Sequence, residues 1–428
     1  MVEMSMLLAR LKREPLGNLP LGPDLDQALS QLGHVWRERV LPPLVTVRLF
    51  LMQILAGNCS IAALRQLAGV DFAPSSYSDA RERLPLDVLQ WLLQWMKQRA
   101  EQSAGIVKKL GQRILIADGS SYSMADTPQL REHFNLPAGT RPGVGYPSGK
   151  LMGLLDAATG MFLSLLALPL FTHDMRGVIG LHPMLQEGDI LLGDRAFCSF
   201  CHLALLQARG GFAFARGVLA CVRLHQRRKE TASGMVRWKR PAVPPVWMDA
   251  IGLALLPQFI NVRIVRYTVP RKGYRTRHVL VATTLLDTTL WPDEKIADLY
   301  GLRWQIETCL DHLKTTMQMN VLRCKTVEGV EKELAMYLAA YNLVRLAMLQ
   351  AAQRQHTSID RISFADAMRY LLARMLGLSG TQRLIVNPHR PGRSQLRVIR
   401  RRLKEYDLLK KPRRETEAEI AAKQGVNA

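Results

Sequence analysis

Residues 113–121 read RILIADGSS, a short apolar run that reaches Asp118 and passes into Gly119 and two serines. An apolar run of this length, closed by turn residues, reads as a buried strand followed by a turn. The same texture returns at residues 189–197, DILLGDRAF, with Asp194 in the place of Asp118. Between them, KLMGLLDAATG (150–160) and MFLSLLALPLF (161–171) read as two strands joined at Thr159–Gly160, and a helical stretch follows near Asp174 to Gln186. SFCHLALLQARGG (199–211) reads as a helix closed by glycine and FAFARG (212–217) as a further strand. The resulting order, β-β-β-α-β-α-β, predicts a mixed α/β sheet.

Outward from this core the pattern changes. The first 35 residues or so, rich in Leu, Pro and Gly, read as a loose arm. From Pro42 to about Ser103 the pattern is helical, with Val45, Leu49, Met52 and Leu55 at helix spacing and a break at Gly57–Asn58. Ser60 is placed to cap IAALRQLAG (61–69), which ends at Gly69. SSYSDARERLP (75–85) offers serine caps, and Pro85 suits the first turn of another helix. Short capped helices with tight turns predict a helix-turn-helix-like bundle that contacts DNA. On the other side, residues 217–290 interleave basic residues with aromatics in strand-like runs and read as a β-rich insertion. Helices are predicted from Pro292 to Met317 and from Val330 to Arg354.

Charge narrows the partner. Lys and Arg total 58 against 36 Asp and Glu, a net of +22, which favours a polyanion. Residues 390–414 hold eleven Lys or Arg in 25 positions and read as an arm for the DNA backbone. Charge alone leaves a pure binder of the ribosomal or chromatin kind as open as an enzyme. No secretory signal is read at the start, and the apolar stretch Leu151–Phe171 is interrupted by Gly153, Asp156, Gly160 and Ser164, so no membrane span is expected there. Six cysteines in 428 residues read as reduced thiols. Cys198, Cys201, Cys221 and His225 do not have the spacing of a standard zinc finger, and buried thiols are the expectation.

Asp118 and Asp194 each follow an apolar strand, and ligands of open α/β sheets gather beyond the carboxyl ends of the strands. Two such acids can share divalent cations, for which hard oxygen ligands suffice. The third element is the helix DLYGLRWQIETCLDHLKTTM (298–317). Tyr300, Arg303, Glu307 and Lys314 fall within a stripe roughly 60° wide at about 100° per residue. An apolar stripe of Leu299, Leu302, Ile306, Leu310 and Leu313 lies beside it, so packing on the sheet would hold Glu307 near the strand ends.

Those four residues, at those three spacings, match the Tyr-(2)-Arg-(3)-Glu-(6)-Lys signature, and the chain resembles the bacterial insertion-sequence-4-type DDE transposases. Further segments carry the likeness: HVWRERVLPPLVTVRLFLMQILAGNCSIAALRQ, DGSSYSMADTPQLREHF, LMGLLDAATG, GDILLGDRAFCSF and YLAAYNLVR. The resemblance implies a ribonuclease-H-like core (109–216 and 291–355) with a β-strand insertion (217–290). A helical N-terminal, DNA-binding domain (1–108) precedes it, and a C-terminal helical region with a basic tail (356–428) follows. It implies Asp118, Asp194 and Glu307 as the metal-binding catalytic acids, with Mg2+ as cofactor and Mn2+ as a substitute. Tyr300, Arg303 and Lys314 would contact phosphates near the element end. It implies a homodimer on double-stranded DNA, cytoplasmic and nucleoid-associated, that cuts at terminal inverted repeats and joins them to target DNA. The alternatives are a metal nuclease of the same fold and a catalytically silent DNA-binding remnant. Some relatives use a tryptophan in the insertion to receive a flipped base; the matching position falls near Val279. Trp304 is expected in the core, Asp126 in a turn or cap, Asp156 and Asp189 in turns, and His173 in a structural role.

Overall fold

The computed structural model of the chain describes residues 21–36, 40–104, 111–138, 143–208, 217–224, 233–268, 278–378, 383–388 and 409–425. The strand predicted at 212–217 and most of the basic segment 390–414 lie outside the described residues.

The apolar run at 113–121 forms β1 (Ile114–Ser123), which continues five residues past Asp118 instead of ending there. Its two neighbours explain this. On one side β2 (Ser148–Asp156) pairs antiparallel along the whole strand, to Ser123↔Ser148. On the other, β4 (Ile190–Gly193) pairs parallel only as far as Ile116↔Leu192. Asp118 therefore sits where the parallel ladder has stopped and the antiparallel one goes on. β3 (Phe162–Pro169) closes one edge on β2. β5 (Leu219–Arg223) extends the parallel side from β4. The strands of the basic region, β6 (Gly234–Lys239), β7 (Phe259–Thr268) and β8 (His278–Thr283), do not stand apart: β8 pairs with β5, giving one eight-stranded sheet in the order β3-β2-β1-β4-β5-β8-β7-β6.

The two faces of the sheet separate by the two-residue alternation of a strand. Ile114, Ile116, Ile190 and Leu192 face one core; Leu115, Ala117 and Leu191 face the other. The helices fall on either side accordingly. In chain order they are α1 (Leu21–Gln31), α2 (Pro43–Leu55), α3 (Ile61–Ala68), α4 (Pro74–Arg83), α5 (Leu86–Ala104), α6 (Pro128–Phe134), α7 (Asp174–Gly180) and α8 (Phe200–Ala208). There follow α9 (Ala250–Leu255), α10 (Asp293–Gly301), α11 (Trp304–Asp311), α12 (Val327–Arg354), α13 (Phe364–Met375) and α14 (Arg413–Gly425). Leu299, Ile306, Leu310 and Leu313 put α10 and α11 on the Ile116 face, together with α12 and the N-terminal helices. Met175, Val178 and Leu203 place α7 and α8 on the opposite face. Among the described helices only α12 is long and apolar enough to cross a bilayer, and 89% of its apolar window is buried, which marks it as a core helix.

Three local outcomes differ from the sequence reading. Residues 21–31 are not a loose arm: Leu25 and Leu29, one helical turn apart, are fully buried, and Asp24 accepts from Trp95 Nε1 (2.6 Å) and Arg99 Nη2 (2.9 Å). The predicted helix 292–317 is interrupted twice. At Leu302–Ile306 the amides bond to carbonyls three residues back (Leu302 N to Leu299 O, 3.1 Å; Arg303 N to Tyr300 O, 3.1 Å), and His312–Thr316 forms a π-turn. In α4, Pro74 opens the helix with no side-chain cap, whereas Ser60 caps α3 as expected, accepting from Ala63 N at 3.2 Å.

Candidate active site

Asp118 and Asp194 come level through register. Ile116 pairs with Leu192 on the last rung of the parallel ladder, each aspartate follows its rung by two residues, and the charge of Asp194 acts on Asp118. They share the parity of Ile116 and Leu192, and α10 and α11 reach them through Arg303, which meets Asp118, and Tyr300, which meets the carbonyl before Asp194. Glu307 is carried to the same place on α11, where Ile306 and Leu310 anchor the helix in the core.

Arg303 joins these acids. Its Nη2 donates to Glu307 Oε1 at 2.7 Å and its Nη1 to Asp118 Oδ2 at 3.4 Å, with the guanidinium side chain only 10% exposed. Asp118 also accepts from Gly119 N at 2.8 Å. Tyr300 donates its hydroxyl to Gly193 O at 3.4 Å, beside Asp194. Lys314 donates to Ser120 Oγ at 3.1 Å, so the π-turn returns this cation to the same strand as Asp118. Five of the six residues are thus tied to β1, to the end of β4 or to one another by hydrogen bonds, and Asp194 joins them by strand register. Ser120 and the Gly119 amide are additions that the sequence signalled only weakly, by small polar residues running on where a buried strand would hold apolar ones.

The electrostatics follow from this crowding. Burial pushes the Asp118 carboxyl up to about 6; the Gly119 amide and Arg303 oppose the shift, and the charges of Asp194 and Glu307 add to it. Burial works against the charge of Arg303, but Tyr300, Glu307 and Asp118 outweigh it and hold the guanidinium protonated. Burial raises the Tyr300 phenol, with opposing help from Arg303, so it remains a donor at neutral pH. A buried carboxyl whose proton affinity is raised, with further acids beside it, is a usual setting for a cation. Three carboxylates offer hard oxygens of the kind Mg2+ takes, and by charge and donor type the set fits a divalent ion. As the side chains stand, no group of three or more His, Cys, Asp or Glu among the described residues is close enough to hold a metal, and the Arg303 guanidinium lies between Asp118 and Glu307.

The other flagged residues take structural places. His173 caps α7, its Nδ1 accepting from Met175 N at 3.2 Å. Asp156 accepts from Ala158 N (2.7 Å) in the β2–β3 turn. Asp189 pairs with Arg113 (2.5 Å). Asp126 stands at the centre of a tight turn, where Thr127 N donates to Ala125 O at 3.2 Å, and Thr127 itself caps α6; the Asp126 carboxylate pairs with Arg131 (3.0 Å) and with Arg413 (2.7 Å), which docks the C-terminal helix α14. Trp304 is not in the core but 48% exposed, with the Arg303 guanidinium 5.7 Å from its ring. It lies about 200° around the helix from both Leu302 and Ile306, so packing Ile306 on the sheet turns Trp304 outward. Val279, Trp238 and Trp291 are buried, as are the thiols of Cys201 and Cys221.

Residues 109–343, just over half of the 428, match a family model described as a transposase DDE domain. Over 116 residues the chain is 36% identical to the transposase InsG for insertion sequence element IS4 of Escherichia coli (strain K12). That alignment covers 26% of this chain and 26% of the relative, so it spans about a quarter of the relative's length. A solved piggyBac transposase synaptic complex with hairpin DNA superposes with a TM-score of 0.42 at 10% identity, over 87% of this chain and 80% of that one.

Proposed function

The chain belongs to the transposase DDE-domain family, and from that premise we propose that it is a DNA transposase acting on the ends of an insertion sequence. It binds terminal inverted repeats and performs Mg2+-dependent phosphodiester cleavage and strand transfer, with Asp118, Asp194 and Glu307 as the metal-holding acids. The observation that carries this reading is the convergence of two aspartates, level on parallel strands, with a glutamate whose Arg303 partner also reaches Asp118. The sheet order β3-β2-β1-β4-β5, antiparallel on one side of β1 and parallel on the other, supports a ribonuclease-H-like core to which β6–β8 are added. The helices of residues 21–104 form a DNA-contacting region, and the basic C-terminal segment adds contacts to the backbone.

Asp118, Asp194 and Glu307 would hold a divalent ion, which would supply Lewis acidity at the scissile phosphate. The chain's own groups do the rest. Asp118 must be ionised to act as a ligand, and with its carboxyl near 6 it is so at pH 8. Arg303 exchanges its two carboxylate contacts for a bidentate grip on a phosphate near the element end. Lys314 offers a compact charge beside Ser120, and Tyr300 a protonated phenol. Two element ends must be held together for joining, which supports a homodimer on DNA in the bacterial nucleoid. The test is Glu307→Gln with labelled element-end DNA: end binding should persist within a few-fold while cleavage disappears. Cleavage at the wild-type rate in that variant would remove Glu307 from the site, and cleavage without end preference in the wild type would favour a nuclease.

A further inference from the structure

A second cleft, of about 480 Å³, lies at the junction of the N-terminal helices with the start of α12. Its lining holds four cations, Arg81, Arg323, Lys325 and Lys332, against two acids, Glu82 and Glu328. Lys332 is spent internally: its Nζ meets Glu328 Oε1 at 2.6 Å and also donates to the Glu82 carbonyl. Arg81 is positioned without being neutralised. Its guanidinium stacks 3.9 Å from the centroid of Phe50 and donates to Cys324 Sγ (3.1 Å) and to Gln53 Oε1 (3.4 Å). Burial pushes the Cys324 thiol up to about 12, so that partner is uncharged. Arg323 and Lys325 stand exposed at the mouth. Two helices begin at this wall, α3 after Ser60 and α12 after Thr326, and each cap takes the third amide only (Ala63 N, 3.2 Å; Gly329 N, 3.1 Å). Their first amides have no partner within their own helices and carry the positive ends of the helix dipoles.

We infer that this cleft is a binding site for a nucleotide phosphate, with the phosphate at Arg323, Lys325 and Arg81. The volume falls in the range of small-ligand sites, about 300–1,000 Å³. A duplex lies across such a cleft and does not enter it. The shared chemistry has two sources, a free nucleotide or the terminal nucleotide of a DNA strand. The wall bearing Arg323 is also hydrogen-bonded to the end of β1: Ser123 N donates to Asn320 O and Leu322 N to Ser123 O, both at 2.9 Å. The wall of the cleft is thus joined by hydrogen bonds to the strand that carries Asp118, five residues before Ser123.

The experiment is isothermal titration calorimetry of the full-length protein with ATP at fixed ionic strength. Saturable binding at one site is expected in the wild type. It should weaken at least tenfold in Arg323→Ala/Lys325→Ala, which removes the mouth charges, and in Ser78→Tyr, which fills the cleft from an exposed position. Lys239→Ala/Arg266→Ala, at exposed positions on the far strands of the sheet, removes the same number of charges and should leave the affinity unchanged. Glu307→Gln should bind ATP as the wild type does, so this result is independent of the transposase reading. Competition by a short single-stranded oligonucleotide, itself weakened by the two cleft variants, identifies a strand end as the source; no competition identifies the free nucleotide. Absence of saturable binding in the wild type, or equal affinity in all variants, overturns the inference.

Discussion

Two carboxylates on the same side of the molecule meet opposite treatment. Glu333, on α12 and fully buried, accepts from Asn58 Nδ2 (2.8 Å) and from the amides of Arg323 and Cys324 (2.9 Å each). Its partners are fixed by the backbone, and they lock the loop before α12 to the N-terminal helices. Asp118, at the ladder end, has one backbone donor and a 3.4 Å approach from a side chain that can turn away. The first carboxylate is saturated and serves the fold; the second is left short of donors, as the proposed role in holding a ligand requires. What distinguishes a structural acid from a functional one here is not burial but whether its lone pairs are already committed.

The contrast predicts opposite responses to removal. The largest effect should come from Asp118→Asn, which should cut cleavage about a thousand-fold or more, on the order of 4 kcal/mol in the barrier. The same variant should be more stable than the wild type at pH 8, by about 1–2 kcal/mol after allowing for a side chain 23% exposed. The sign follows from its carboxyl: about 6 when folded against 3.8 ordinarily, so the folded state holds the proton longer. Wild-type stability relative to the variant should therefore fall as pH rises from about 4 to 6, and level off above; chemical denaturation across that range measures it.

Glu333→Ala should do the reverse. It leaves three donors without an acceptor and should cost about 3–4 kcal/mol in denaturant unfolding, while cleavage per folded molecule stays within a few-fold. A stable Glu333→Ala protein would erase the distinction between the two sites. The smallest effect is in Mg2+ affinity, which should weaken below pH 6, where a proton on Asp118 competes with the ion. An affinity unchanged from pH 8 to pH 5 would take Asp118 out of the ligand set.

How much of this was readable beforehand depends on the range of each interaction. The strands were legible because buried apolar runs are local, and the level placement of Asp118 and Asp194 follows from two such runs in parallel. The stripe of Tyr300, Arg303, Glu307 and Lys314 was legible as periodicity. Its tight turn at Leu302–Ile306 and its π-turn at His312–Thr316 were not, because nothing local demands them; both sit where distant groups, Gly193 O and Ser120 Oγ, are reached. The turn at Asp126 was legible, but its pairing with Arg413 was not, since the two lie 287 residues apart. Residues 21–31 read as a loose arm because Gly17, Pro20 and Pro23 disfavour a helix locally, whereas the helix is held by burial of Leu25 and Leu29 in the core.

The central claim, that the ladder-end acids perform metal-dependent chemistry on DNA ends, is tested most directly by one assay. Element-end DNA is incubated with the wild type and with Asp194→Ala, each with and without Mg2+. Cuts at the element's ends that need the metal and vanish in the variant are the predicted result. Tight binding with no cuts in the wild type, or cuts that survive in Asp194→Ala, would contradict it.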